Sequence, residues 1–207
     1  MKKKFAKVWA FIWKSIVAFF AFTVLLTLLF KFVNPYFTIT MLSRKTEALF
    51  MKDKSSKIHS KWKNYGEISP YMPLAIITAE DQKFLYHHGF DFEAIEKAIY
   101  HNEKVTQKNR KRIKGASTIS QQTAKNVFLW QGRSYVRKGL EVYFTVLIEL
   151  LWSKQRIIEV YMNVAEMGNM VFGAEAAAQW YYHKPAAKLT QYEAASIAVI
   201  LPNPRKY

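Results

Sequence analysis

The chain has 207 residues, enough for one folded domain of ordinary size plus an accessory segment. Its formal net charge of +16 calls for an acidic partner: nucleic acid, anionic membrane lipid or a phosphorylated substrate. The absence of cysteine excludes disulfides and thiolate metal sites, and none of the five histidines stands at a zinc-ligand spacing.

The first residues, MKKKFAKVWAFIWK, are basic and aromatic and lead into an uncharged apolar run, Ser15 to Phe30. That run is a little short of the roughly 20 residues that cross a bilayer core, but Lys14 and Lys31 can snorkel and Trp13 suits the interface. A removable signal peptide wants small residues at a cleavage site, and Lys31 to Pro35 offers none, so residues 1–33 read as a retained anchor. Lys2, Lys3, Lys4 and Lys7 keep the N-terminus cytoplasmic by the positive-inside rule and export the rest. An exported, tethered domain rarely meets DNA or RNA, so nucleic acid drops out as a partner.

Residues 34–66 are mixed and basic, and read as a stalk packing loosely near the membrane surface. The stretch PLAIIT from Pro73 reads as a helix start, with proline tolerated in the first turn. If that helix runs on to Gly89, then Glu80, Phe84 and His87 share one face at i, i+4 and i+7. Such a face suits the edge of an active site. A solvated helix end, with Glu80 and Asp81 on the water side, fits the same residues. FEAIEKAIY from Phe92 continues the helical period, and His101 to Lys114 has no apolar face, which predicts a mobile basic loop. That loop is either merely solvated or gates substrate and attracts phosphate.

In GASTISQQTAKNVFL from Gly115, Thr118 and Gln121 fit a capping box. Ser117, Gln121 and Lys125 at four-residue spacing would also stack a hydroxyl, an amide and an ammonium on one helix face, a stripe suited to a sugar or phosphate. Ser134 is placed to cap the next helix, whose Leu140 to Trp152 section is apolar nearly all round and predicts a buried central element. Arg133, Arg137 and Glu141 repeat at four-residue spacing. A helix ion pair is the plain account, but arginine before glutamate is its weaker order, so a carboxylate ringed by Arg133, Arg137 and Lys138 reads better as an anion-handling site. Further helices follow from Ser153 to Met167, from Phe172 to Tyr182, and after a Thr190–Glu193 capping box. Strand patterns are scarce, so the chain is expected to be mainly α.

Taken together and in order, these motifs resemble the peptidoglycan glycosyltransferases in their monofunctional, membrane-anchored form. The resemblance rests on EDQKFLYHHGFD from Glu80, GASTISQQTAKN from Gly115, RKGLE from Arg137, KQRIIEVYMN from Lys154 and EAASIAVILPNP from Glu193. It implies a lysozyme-like, two-lobed domain over residues 67–207, with donor and acceptor lipid-linked disaccharides in the groove between lobes. The implied reaction polymerises lipid II into β-1,4-linked glycan and releases undecaprenyl pyrophosphate with a single inversion, so no covalent glycosyl-enzyme is needed.

On this resemblance Glu80 is the expected general base, because the attacking sugar hydroxyl must lose a proton. Lys125, Arg133, Arg137 and Lys138 would stabilise the departing pyrophosphate. Glu141 would orient them or help hold a divalent ion, magnesium or manganese, with no organic cofactor. Asp81, Ser117, Gln121 and Asn126 carry over as groove residues, while Glu159 and Asn163 read as structural. Relatives usually continue with more helix after the fifth motif. No penicillin-binding transpeptidase domain follows that motif here, so transpeptidases and the division or elongation machinery are expected partners, alongside membrane lipids. Two rivals are a lysozyme-like lytic enzyme and a non-enzymatic tethered scaffold; the cations near Glu141 speak against the first and the ordered carboxylates against the second.

Overall fold

A computed structural model describes residues 2–51, 57–107, 115–132 and 134–206. The α-helices, in chain order, are α1 (Lys2–Phe32), α2 (Ile39–Phe50), α3 (Tyr71–Glu80), α4 (Phe92–Gln107), α5 (Ile119–Phe128), α6 (Tyr135–Leu151), α7 (Lys154–Val164), α8 (Ala174–Tyr182) and α9 (Gln191–Ile200). Three short strands join them: β1 (His59–Ser60), β2 (Glu166–Gly168) and β3 (Val171–Phe172). The mainly α expectation holds. The chain divides into two compact units, Met1–Asn34 and Pro35–Tyr207.

The first unit is α1, of which Ala6–Phe32 is long and apolar enough to cross a membrane. A hydroxyl on such a helix can bond the carbonyl one turn back. The Thr23 hydroxyl donates to the Phe19 carbonyl at 3.0 Å, and that of Thr27 to the Thr23 carbonyl at 2.8 Å.

In the second unit the most enclosed elements are α5 and α7. Of the ten residues of α5 eight are buried, and α7 buries Ile157, Ile158 and everything from Val160 to Val164. The expected central helix, α6, buries only Glu141, Phe144, Thr145 and Ile148, and leaves Val142, Val146 and Leu150 exposed. An all-round apolar sequence therefore overstated its burial. One face of α6 packs on α5, where the Phe128 and Phe144 rings stack with centroids 4.5 Å apart. Filling that contact removes two large rings from water, and Phe128→Ala would cost on the order of 3–5 kcal/mol. On the other flank α3 packs against α9, whose Thr190–Glu193 capping box forms as the sequence predicts.

The segment 34–66 is not a loose stalk. Residues from Pro35 onward belong to the second unit. Thr38 caps α2, and the buried guanidinium of Arg44 on that helix reaches Glu47, Glu166 (3.1 Å) and Asn169 (3.1 Å). β1 pairs in parallel with β3 at the sheet order β1-β3-β2, with His59 opposite Val171. Asn163 then fixes Lys63 through both its backbone N–H and its carbonyl, each at 2.8 Å, and Glu159 accepts the Tyr65 N–H at 2.8 Å. Both α7 residues are structural, as expected. Lysines scattered among serines hid these long-range bonds, because neither sheet pairing nor an amide clamp has a local sequence signature. Likewise α4 extends through Gln107, so the first half of the expected basic loop is helix; residues 108–114 lie outside the described residues.

Candidate active site

Helix α3 carries Glu80 as its last residue. It is driven into place by Met72 and Ile76, both fully buried, and it ends because Asp81 leaves the helical region (φ −160°, ψ 77°). The predicted continuation to Gly89 is therefore absent, and residues 82–89 form turns instead. Glu80 sits half-buried at this break. Its Oε2 accepts the Gln122 side-chain amide at 2.6 Å, and the Gln122 carbonyl accepts the buried Tyr161 hydroxyl at 3.2 Å.

Asp81 is the opposite of a water-side carboxylate. It is buried, it takes the Ile119 backbone N–H at 2.9 Å, and both of its oxygens face Nε2 of His87 at 3.0 and 2.9 Å. Nδ1 of that ring accepts the Gly89 N–H at 3.1 Å, which in this network assigns the proton to Nε2. Gly89 lies at φ +93°, and a Cβ there would stand 2.8 Å from the Thr145 side chain. Its carbonyl takes the Thr118 hydroxyl at 2.7 Å, while Lys154 bonds the His87 carbonyl (2.6 Å) and Glu149 (2.8 Å). Asp81, His87 and Gly89 thus rivet the turn after α3 onto the start of α5 and the side of α6. Their shared effect is to fix where Glu80 points.

Helix α5 starts at Ile119, capped by Thr118, with Gln121 completing the box by accepting the Thr118 N–H at 3.0 Å. The plain capping account is therefore the correct one. Ser117 lies exposed ahead of the helix and Gln121 is buried in the cap, so the proposed hydroxyl–amide–ammonium stripe does not form. The amide that meets the site is Gln122, one residue on. Asn126 is buried on the same helix.

Lys125 is the hub. Desolvation by burial pushes its ammonium below the ordinary lysine value; Glu141 opposes that, Arg137 and Lys138 add to it, and Glu80 opposes it. One side chain thus senses both carboxylates and both α6 cations. On α6, Ser134 caps the first turn as predicted. Glu141, 3 % exposed, accepts Arg137 at 2.8 Å and Lys138 at 2.5 Å. The helix ion pair that sequence order disfavoured does form, since burial strengthens a pairing that water would leave marginal. The buried Nε of Arg137 has no hydrogen-bond partner among the described residues, a donor left for an anionic ligand. Arg133 lies outside the described residues. Burial and the Glu80 carboxylate together hold the Tyr161 phenol well above its ordinary range, so it stays a neutral donor.

Gln122 and Tyr161 went unrecognised in the sequence. The signal was available for the first: once Thr118 and Gln121 are spent on a cap, the next glutamine is the one left to face the groove. Tyr161 gave none, being one more aromatic on an amphipathic helix. Among the described residues no group of three or more His, Asp or Glu side chains could hold a metal ion. The arrangement supplies a carboxylate open to a proton, coupled through Lys125 to the α6 cations, which suits attack by a hydroxyl with departure of an anionic group.

The transglycosylase family matches residues 47–207 of the chain. A biosynthetic peptidoglycan transglycosylase of Yersinia pestis (strain Pestoides F) is 49% identical over 207 residues, covering 100% of this chain and 84% of its own. A protein of the same name from Yersinia pseudotuberculosis serotype O:1b (strain IP 31758) matches with the same identity and coverage.

Proposed function

The chain belongs to the transglycosylase family, and from that premise we propose how its side chains divide the work. It is a peptidoglycan glycosyltransferase that polymerises glycan strands. The donor is lipid II or a strand still carrying the lipid pyrophosphate, and the acceptor supplies a sugar hydroxyl. Glu80 takes the proton from that hydroxyl as its oxygen attacks the anomeric carbon; the carbon–oxygen bond to pyrophosphate breaks on the opposite side, giving a β linkage by inversion. Gln122 and Tyr161 hold the carboxylate, and Asp81 and His87 hold the turn that carries it. Lys125, Arg137 and Lys138 meet the charge that gathers on the leaving group, and Glu141 keeps the α6 cations in place.

The observation that carries this division is the α6 cluster, in which buried Glu141 holds Arg137 and Lys138 while the Arg137 Nε stays without a partner among the described residues, with the field of Lys125 added to it. Hydrolysis of a neutral glycosidic bond would leave that positive cluster without a task. A divalent ion at Glu141 would have to displace Arg137 and Lys138, which engage both of its oxygens. The apolar helix α1 supports a single-pass anchor. Its lysine-rich N-terminus supports a cytoplasmic tip, with the second unit outside the inner membrane. The deciding experiment incubates the purified full chain with lipid II. Polymer and undecaprenyl pyrophosphate are expected, with purified phosphate-free glycan left undigested; digestion without polymer would overturn the assignment.

A further inference from the structure

A pocket of about 650 Å³ opens between the β1 strand with its approach and the outer side of α8. None of Glu80, Gln122, Lys125, Arg137 or Glu141 lines it, so the polymerising cluster leaves it unexplained. Its size is that of a ligand site rather than a packing defect. We propose that this pocket is a second saccharide-binding site, one that holds a phosphate-free glycan strand bearing carboxylate groups.

Four features narrow the ligand. Trp180 is 52% exposed, and its ring stands 5.0 Å from that of His59, so the pocket offers a broad apolar face of the kind on which a pyranose ring can lie. Glu175 in the wall is 2% exposed, and its two oxygens are unequally served. Oε2 takes the Ala186 N–H at 2.8 Å, whereas Oε1 has, among the described residues, only long approaches from Gln179 at 3.4 Å and Lys61 at 3.6 Å. A buried carboxylate oxygen with weak partners is an acceptor for a ligand hydroxyl, because such an oxygen is costly to leave unbonded. Gln179 adds an exposed amide that can both donate and accept. Lys57 and Lys61 at the rim repel a cationic ligand, and the buried Glu175 carboxylate opposes a phosphate in the pocket itself. A hydroxyl-rich ring with a carboxylate at its edge satisfies every group; a nucleic acid or an amine does not. That the strand is the enzyme's own product rests on the function proposed above.

Calorimetric titration of the full chain in detergent tests this, with peptide-free peptidoglycan strands as one probe and a neutral β-1,4-linked N-acetylglucosamine hexamer as the other. Trp180→Ala should weaken both about tenfold, equivalent to about 1.4 kcal/mol, and Trp180→Phe should restore most of that loss. Lys57→Gln with Lys61→Gln should weaken only the carboxylated strand. Equal binding by wild type and Trp180→Ala overturns the proposal, and so does a Phe variant as weak as the Ala variant. Lipid II polymerisation by the same wild-type preparation is scored separately. Polymer made alongside Trp180-independent binding removes the pocket and keeps the enzyme; Trp180-dependent binding without polymer keeps a saccharide site and removes the enzyme.

Discussion

Glu80 and Glu141 are both sensed by Lys125, yet the molecule holds them in opposite ways. Glu80 is half-buried, one oxygen takes a neutral amide, and Oε1 has no hydrogen-bond partner among the described residues. Glu141 is buried and each of its oxygens carries a cation. A general base has to accept a proton during the reaction, so it needs an open oxygen and no tightly bound counter-charge. A carboxylate that anchors cations needs both oxygens engaged, and Arg137 and Lys138 do that. Replacing each acid by its amide should therefore separate chemistry from architecture. For Glu80→Gln the amide keeps the shape but cannot take the proton, and kcat on lipid II should fall roughly 100- to 10,000-fold. Its melting temperature should stay at the wild-type value, and near-normal turnover would remove Glu80 from the proton transfer.

Lys125, which feels the charge of both acids, sharpens the same contrast. Lys125→Gln should lower kcat about a hundredfold, on the order of 3 kcal/mol, with little change in KM, because the charge it meets develops only in the transition state. The pH dependence carries a sign that can be checked. Burial lowers the lysine below 10.5, so between that lowered value and 10.5 the unfolded chain binds the extra proton. The stability contribution of Lys125 accordingly rises with pH through that window. Activity should move the other way, falling as the ammonium deprotonates. Single-turnover rates and chemical denaturation, each followed from neutral to alkaline pH against Lys125→Gln, would show the opposed trends; parallel trends would contradict the desolvated-ammonium account.

Sequence periodicity and caps reached most of the helices, since apolar spacing and a Thr118–Gln121 or Thr190–Glu193 box are local signals. They failed where the determinant is distant. The turn after Glu80 depends on Asp81 bonding Ile119, and the segment 34–66 depends on Arg44, Asn163 and Glu159 reaching across the fold. Glu80, Lys125, Arg137, Lys138 and Glu141 can be named from the sequence because helical spacing and the family resemblance both point to them. Asp81 rivets the turn and Gln121 completes a cap instead of lining a groove, and in the sequence Gln122 is hidden by its neighbour.

The other half of the comparison predicts a structural loss. In Glu141→Gln two cations lose their counter-charge, and removing one partner of a fully enclosed pair costs roughly 3–5 kcal/mol. Lys138 is half in water, with 47% of its side chain exposed, so the expected cost is nearer about 2 kcal/mol. Urea unfolding should show a lower midpoint at unchanged slope, together with reduced turnover. A Glu141→Gln variant as stable as wild type would mean that the α6 cations are held by something other than this carboxylate.

The smallest effect should come from the far end of the chain that positions Glu80. Tyr161→Phe keeps the buried ring and removes only the hydroxyl that donates to Gln122 at 3.2 Å. A neutral hydrogen bond of this kind contributes on the order of 1 kcal/mol, and the Gln122 carbonyl is left short of a donor. With the amide less firmly oriented, the open carboxylate should wander from the acceptor hydroxyl, and kcat should fall about fivefold while KM holds. Stability should drop by a similar amount, so the two measurements alone do not separate positioning from packing. Combining the change with Glu80→Gln does. If Tyr161 acts through Glu80, the double variant should turn over no more slowly than Glu80→Gln alone, because the base it positions is already gone. A further fivefold loss in the double variant would place Tyr161 outside the chain that leads to the base.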